Sequence, residues 1–267
     1  MDEPVVVDPG WLASRIDSRE LAIVDVRPPP YFVRGHILGA VNLPIFLFNG
    51  PNGVPPHAGF AEILGRLGVT SQMHVVVYDD GASPSAARLF WVLSYYRHAR
   101  LSVLDGGIRA WVHAGNDLES GEPSIKFATY HIAEPDHGAL ADTESVLQSL
   151  NRDDAVIVDT RSESEYSGWQ TTAARNGHIP GAVHLEWIES FEQRDGCLHL
   201  RESRELLARY AELGITPDRP VFVHCQSGMR AAQTFLTLKH LGYARVAHYS
   251  AGWQEWGNRF DTPVETE

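Results

Sequence analysis

The sequence predicts an α/β fold of two similar domains, each with a mainly parallel central sheet flanked by helices. Three observations support this prediction. Blocks of sequence recur in the same order, short apolar runs are typical of buried strands, and the stretches between them have helical spacing of apolar residues. The chain has 267 residues, a length compatible with two domains of about 130 residues each.

The internal repeat consists of four blocks that occur twice. An apolar run that closes in Asp-x-Arg, Ala22–Arg27, has its counterpart at Ala155–Arg161. A Gly-His-Ile signature surrounds both His36 and His178, which lie 142 residues apart. The other two pairs of blocks are Val75–Gly81 with Val221–Ser227, offset by 146 residues, and Leu104–Trp111 with Tyr249–Trp256, offset by 145. Four blocks in one order at nearly one offset indicate a duplicated domain.

Strands and helices alternate in each half of this repeat. The apolar runs are continuous, as in strands of a parallel sheet that is covered on both faces. Helical apolar spacing occurs at Phe60–Leu67, Ala86–Tyr95, Leu206–Leu213 and Ala231–Leu241. Residues 121–138 contain two glycines and two prolines with little apolar periodicity, so they are the predicted linker between domains at 1–120 and 139–267.

Composition limits the classes of function. A formal net charge of −12 argues against nucleic acid as a partner, because phosphate binding needs a basic surface. The sequence lacks an apolar run of about 18 residues, so we expect no membrane span. An acidic start, Met1-Asp-Glu-Pro, without an apolar or Arg-rich leader favours a cytoplasmic location. Two cysteines are too few for a disulfide framework, and the 13 histidines lack metal-ligand spacing, so we expect neither a metal nor a cofactor.

The strongest chemical signal is Cys225 and the loop that follows it. An apolar run, Val221–His224, ends at this cysteine, and the polar loop Gln226–Arg230 precedes the predicted helix. A loop between a strand and a helix N-terminus presents backbone N–H groups and a positive dipole end, which favour a thiolate. The alternative is that Cys225 is a small buried apolar residue, the commoner role of a free cysteine.

These residues resemble the rhodanese family of sulfurtransferases, and specifically its two-domain members. Both Gly-His-Ile signatures match, as do Leu104-Asp-Gly-Gly through Trp111 and Tyr249-Ser-Ala-Gly through Trp256. Cys225 stands where such proteins carry the catalytic cysteine, and Asp79 stands at the equivalent position of the first half. The resemblance implies two tandem rhodanese-like domains, of which the first is non-catalytic.

The resemblance also implies the reaction. A thiolate at Cys225 takes the outer sulfur of a small donor, thiosulfate or 3-mercaptopyruvate, and becomes a persulfide that cyanide or a thiol discharges. A protein that accepts sulfur is a further partner compatible with this chemistry. The substrate-binding candidates are Gln226, Ser227, Gly228, Met229, Arg230, Arg161 and Arg175. Among them, Gly228 permits the tight loop and Arg230 offers a guanidinium to an anionic donor.

Because the chain departs from the family pattern, the sequence does not identify the sulfur donor. Such sulfurtransferases usually carry an arginine immediately before the aromatic residue that follows the second Asp-x-Arg, but Glu165 stands there, before Tyr166. Arg175 or Arg161 is the candidate to replace this cation. The loop Cys-Gln-Ser-Gly-Met-Arg also matches neither the thiosulfate nor the mercaptopyruvate pattern.

Two other functions compete with sulfur transfer. Phosphatases of the rhodanese-like fold use Cys-x5-Arg, whereas only four residues separate Cys225 from Arg230 here, which gives a smaller cradle that suits sulfur better. A module that carries sulfur or binds partners without turnover is the non-enzymatic alternative.

The remaining candidates have mainly structural interpretations. His224 neighbours Cys225 on a strand, so its side chain should point away from the thiol. His36 and His178 are equivalent residues of the two halves, one of which lacks the cysteine, so we expect both to pack in turns and not to take part in catalysis. Two interpretations of Trp253 stand, a core residue or part of the pocket mouth, and Cys197 is expected to be an incidental thiol.

Overall fold

The computed structural model describes residues 3–50, 53–81, 84–194 and 196–266. The chain divides into two compact units, Met1–Asp136 with Glu192–Leu200, and His137–Phe191 with Arg201–Glu267. The segment Glu192–Leu200 therefore groups with the unit built by the N-terminal half, which the sequence did not indicate. Among the described residues, no helix combines the length and the apolar character needed to cross a membrane.

A five-stranded sheet forms the centre of the first unit. Its strands are β1 (Val6–Val7), β2 (Leu21–Asp25), β3 (Val41–Asn42), β4 (His74–Tyr78) and β5 (Leu101–Leu104), in the order β1-β5-β4-β2-β3. Its helices are α1 (Pro9–Ala13), α2 (Pro29–Arg34), α3 (His57–Arg66), α4 (Ser85–Tyr95) and α5 (Gly107–His113). All four strand pairings are parallel, and the central strand β4 is buried along its whole length, as its continuous apolar run predicts.

A second five-stranded sheet with the same topology forms the centre of the second unit. Its strands are β6 (Leu140–Ala141), β7 (Val156–Asp159), β8 (Val183–His184), β11 (Val221–His224) and β12 (Val246–Tyr249). The helices are α6 (Thr143–Ser149), α7 (Glu163–Tyr166), α8 (Ser203–Glu212), α9 (Met229–His240) and α10 (Gly252–Trp256), and the strands β9 (Phe191–Arg194) and β10 (Cys197–Leu200) are not part of this sheet. The sheet order is β6-β12-β11-β7-β8, again with parallel pairings, and β9 pairs with β10 separately. Each strand of this sheet has its counterpart at the same place in the first, so the duplication predicted from the sequence is confirmed.

The predicted helices are also confirmed. Helices α3, α4, α8 and α9 cover the four stretches with helical apolar spacing, with boundaries shifted by a few residues. Residues 121–136 have no helix or strand, and they pack on the first unit. There the backbone N–H of Ala128 donates to the Gly65 carbonyl at 2.9 Å, and the hydroxyl of Tyr130 lies 2.7 Å from His98 Nδ1.

Both units also share a buried Asp-x-Arg arrangement. In the first, Arg27 Nη2 lies 2.6 Å from Asp25 Oδ2 and 2.7 Å from the Gly35 carbonyl. In the second, Arg161 Nη2 lies 2.5 Å from Asp159 Oδ2 and 2.8 Å from the Gly177 carbonyl. Because the guanidinium joins the end of a strand to the glycine that begins the Gly-His-Ile signature, the motif has the same structural role in both units.

Candidate active site

Cys225 lies directly after β11, the central strand of the second sheet, and α9 begins at Met229. The loop between them is short enough for the Gly228 N–H to donate to Cys225 Sγ at 3.1 Å. Gly228 has a φ of 81°, in the left-handed region that glycine adopts without a Cβ clash. Cys225 is only 1% exposed, so the loop folds around the sulfur at the N-terminus of a twelve-residue helix.

The start of α10 holds the backbone of this loop. The Trp253 N–H donates to the Cys225 carbonyl at 2.8 Å, and the Gln254 N–H donates to the Gln226 carbonyl at 2.9 Å. Gly252, with a φ of 57°, comes so close that a Cβ on it would lie 2.3 Å from the Cys225 carbonyl oxygen. The position of the cysteine therefore depends on a glycine at 252.

Arg230 is paired with Glu165 in a two-bond ion pair. Its Nη1 lies 2.5 Å from Oε2 and its Nη2 lies 2.9 Å from Oε1. The pKa of Arg230 is raised, chiefly by its hydrogen bonds to Glu165, which outweigh the opposing effect of burial; the negative charge of the Cys225 thiolate raises it further. Both partners of the pair are therefore charged at neutral pH, so the guanidinium predicted to bind an anionic donor already has a carboxylate beside it.

Glu165 is itself fixed by the first turn of α7. Ser162 is the N-cap residue of this helix, and its backbone N–H and hydroxyl donate to Glu165 Oε2 at 3.1 and 2.9 Å. Burial alone would raise the pKa of Glu165, but the hydrogen bonds from Arg230 and Ser162 outweigh it, so the pKa is lowered. The sequence did not indicate the pairing of Glu165 with Arg230, since Glu165 stood out there only as the residue in place of the family arginine.

The other loop residues differ in exposure. Gln226 Nε2 donates to the Thr172 carbonyl at 2.9 Å, which ties the loop to the segment before Arg175. Ser227 is exposed, and no side chain caps α9. Met229 is half-buried as the first residue of the helix.

Neither arginine proposed to replace the missing cation is brought to the loop. Arg161 is 0% exposed, and its guanidinium carbon lies 4.4 Å from the centre of the Trp253 ring, in addition to its bonds to Asp159. Arg175 Nη1 donates to the Thr262 carbonyl at 2.6 Å, and its Nη2 donates to the Trp256 carbonyl at 2.8 Å. Both guanidinium groups thus bind other parts of the fold, and Trp253, 1% exposed, is a core residue.

The histidines have packing roles. His224 is 1% exposed, and its Nε2 lies 3.5 Å from Asp159 Oδ2, on the side of the strand expected from the alternation of side chains. Burial lowers the pKa of His224. His36 stacks on Phe32 and His178 stacks on Tyr166, each with ring centres 3.9 Å apart, so neither histidine takes part in the Cys225 loop.

The second cysteine and the possibility of a metal site remain. Cys197 is buried in β10, within the segment that groups with the first unit. Within the part of the chain that the structure describes, no three His, Cys, Asp or Glu side chains cluster as a metal site would require.

Comparison with known proteins agrees with the fold. Residues 8–114 and 142–259 each match the Rhodanese-like domain. The chain is 35% identical to the thiosulfate sulfurtransferase of Azotobacter vinelandii over 98% of this chain and 97% of that protein. It is 31% identical to the 3-mercaptopyruvate sulfurtransferase of Escherichia coli K12 over 97% of each chain.

A sulfur carrier and a solved structure extend the comparison. The chain is 30% identical to the sulfur carrier protein TtuD of Thermus thermophilus over 97% of this chain and 96% of that protein. Its fold is similar to that of an anaerobic ergothioneine biosynthesis enzyme from Chlorobium limicola, with a TM-score of 0.87 at 24% identity, covering 98% of this chain and 70% of that one. With both halves matched and full-length relatives above 30% identity, the chain belongs to the rhodanese family and is a sulfurtransferase.

Proposed function

We propose that Cys225 carries the transferred sulfur as a persulfide. In the first step its thiolate bonds to the outer sulfur of thiosulfate or 3-mercaptopyruvate, and the bond between that sulfur and the donor breaks. The electron pair of the broken bond leaves with sulfite or with the enolate of pyruvate. In the second step an acceptor, cyanide or a thiolate, takes the outer sulfur and leaves the Cys225 thiolate.

The observation that carries this proposal is the hydrogen bond from the Gly228 N–H to Cys225 Sγ at the start of α9. A backbone donor and a helix N-terminus favour negative charge on sulfur, both on the thiolate and on the terminal sulfur of the persulfide. The small loop, with four residues between Cys225 and Arg230, suits a sulfur atom better than a phosphate group.

The half of the chain before the linker at 121–138 is proposed to be non-catalytic. Asp79 occupies the place of the nucleophile there, and a carboxylate cannot accept a sulfane sulfur. The catalytic half is then residues 139–267, which contain Cys225 and the Glu165–Arg230 pair.

The test is steady-state formation of thiocyanate from cyanide with each donor, combined with intact-mass measurement. We expect a mass increase of one sulfur on the wild-type chain and none on Cys225→Ser, which should also lose turnover. Turnover by Cys225→Ser would overturn the assignment, and hydrolysis of p-nitrophenyl phosphate without sulfur transfer would favour the phosphatase alternative.

A sulfur carrier is the second candidate, because a relative with 30% identity over nearly the full chain is a sulfur carrier protein. In that case the acceptor is a protein thiol and not a small molecule. Stable persulfide on Cys225 with slow discharge by cyanide, followed by rapid discharge to a protein acceptor, would distinguish the carrier from a small-molecule enzyme.

A further inference from the structure

The Glu165–Arg230 pair sets the charge around the reacting sulfur. The guanidinium contributes one positive charge and the carboxylate one negative charge, held together by two hydrogen bonds of 2.5 and 2.9 Å. With the Cys225 thiolate, the loop carries a net charge of about −1 before any donor arrives, offset by a partial positive charge of roughly half a unit from the N-terminus of α9.

This pair is held in place before a donor binds. The Ser162 N–H and hydroxyl donate to the same carboxylate oxygen that accepts from Arg230 Nη1, and the Glu165 side chain is only 7% exposed. Moving the carboxylate away from Arg230 would break the first turn of α7 as well. The guanidinium therefore remains neutralised when an anion enters the loop.

The two donors of the proposed reaction differ in the charge that they bring. Thiosulfate is a dianion, so the thiolate and the donor together carry three negative charges, which end on the persulfide and on sulfite. 3-Mercaptopyruvate brings one negative charge on its carboxylate. Its sulfur moves to Cys225, the electron pair of the C–S bond forms the enolate of pyruvate, and the thiol proton ends on carbon. Repulsion from Glu165 is thus about twice as large for thiosulfate.

We propose that Glu165 determines donor specificity: by neutralising Arg230 it disfavours dianionic thiosulfate, so that singly charged organic donors such as 3-mercaptopyruvate are the preferred class. This inference rests on the proposed function, since it concerns the donor that meets Cys225.

The test is Glu165→Gln, which keeps the side-chain shape and an acceptor for Ser162 but removes the negative charge. We expect kcat/KM for thiosulfate to rise about tenfold and that for 3-mercaptopyruvate about threefold, because the electrostatic free energy scales with donor charge. The ratio of the two efficiencies should therefore shift about threefold towards thiosulfate.

Two further variants separate this effect from a general change of charge. Glu163→Gln alters the same helix by the same charge at a side chain that is 68% exposed, and both efficiencies should change less than about twofold. The double variant Glu165→Gln/Arg230→Gln restores the net charge of the wild-type loop, so the gain with thiosulfate should disappear.

The outcomes are distinguishable. An unchanged or reversed donor ratio in Glu165→Gln, with sulfur still loaded on Cys225, overturns the role of Glu165 and leaves the persulfide mechanism intact. Failure of both donors to add a sulfur atom to Cys225 in wild type and variant overturns the mechanism and this inference together.

Discussion

Asp79 and Cys225 occupy equivalent positions in the two units, each after the central strand of its sheet, and both side chains accept backbone N–H groups from the residues that follow them. Asp79 Oδ1 accepts from Gly81 at 2.8 Å and Oδ2 accepts from Ala86 at 2.9 Å, whereas Cys225 Sγ accepts from Gly228 at 3.1 Å. The same loop position therefore stabilises an acceptor in both halves. In the first half the acceptor is a carboxylate that fastens the start of α4.

Replacing Asp79 by alanine should lower stability and leave sulfur transfer intact. The change leaves two backbone donors without their acceptor, one of them on buried Ala86, for which we expect a loss of about 1–3 kcal/mol in the free energy of unfolding. Asp79→Asn keeps one oxygen acceptor and should lose less. Urea unfolding gives the stability, and thiocyanate formation per folded molecule should match wild type. A loss of activity without a loss of stability would mean that Asp79 takes part in the reaction.

Gly252→Ala should disrupt the Cys225 loop. A Cβ at this position would lie 2.3 Å from the Cys225 carbonyl oxygen, and the φ of 57° is itself strained for alanine. Strain and overpacking together should reduce the free energy of unfolding by about 3 kcal/mol, and displacement of the cysteine should lower kcat at least about tenfold.

Two matched variants test this explanation. Gly181 has a φ of 70°, and no atom of the described residues lies within 4 Å of the place that a Cβ would occupy, so Gly181→Ala should show the backbone strain alone, about 1–2 kcal/mol. Gly107 is the counterpart of Gly252, and a Cβ there would lie 2.6 Å from the Asp79 carbonyl oxygen. Gly107→Ala should therefore be destabilising but should leave the turnover of folded protein unchanged. Equal activity loss in all three variants would contradict the proposed role of Gly252.

His98 should make the first unit sensitive to acid. It is 8% exposed, with Nδ1 2.7 Å from the Tyr130 hydroxyl and Nε2 3.0 Å from the Met73 carbonyl. Burial lowers its pKa from 6.5 to about 4. Because the folded-state pKa lies below the unfolded one, the stabilisation is fully present above pH 6.5 and is lost as the pH falls through about 4.

The lowered pKa of His98 should change the free energy of unfolding by an amount large enough to measure. Between pH 7 and pH 5 the contribution of His98 should decrease by about 2 kcal/mol. The measurement is urea unfolding of wild type and His98→Gln at both pH values. The stability difference between the two proteins should change by that amount, whereas a pH-independent difference would show that His98 titrates normally.

The duplicated fold could be predicted because its signals are local. Continuous apolar runs specify buried parallel strands, and the blocks around His36 and His178 repeat at nearly one offset. The placement of the candidate Cys225 between a strand and a helix could be predicted, since the strand, the loop and the helix are adjacent in the sequence. Glu119 and Glu265 form a further equivalent pair that the sequence did not indicate: their carboxylates accept the N–H of Gly39 and of Gly181, respectively.

The charge environment of the site could not be predicted in the same way. Arg230 and Glu165 are 65 residues apart, and only the parallel pairing of β7 with β11 brings the elements that follow these strands together. From the sequence, Arg230 is expected to be a cation available to the donor, and Glu165 marks the position where the family has an arginine. The amino-acid types alone do not indicate that these two side chains bind each other. The same limitation applies to Arg175, whose guanidinium binds carbonyl groups more than 80 positions away.

Arg161 should be required for stability and not for donor binding. Its guanidinium is 0% exposed and holds Asp159, the Gly177 carbonyl and the face of Trp253 at once, which the single ammonium of lysine cannot do. Arg161→Lys should lower the free energy of unfolding by about 3 kcal/mol, while KM for both donors in folded protein stays within about twofold of wild type. The matched control is Arg27→Lys, which alters the same motif in the half that lacks the cysteine and should be destabilising in the same way. If Arg161 contacted the donor, KM would rise in Arg161→Lys and not in Arg27→Lys, and this difference between the two variants decides between a structural and a binding role.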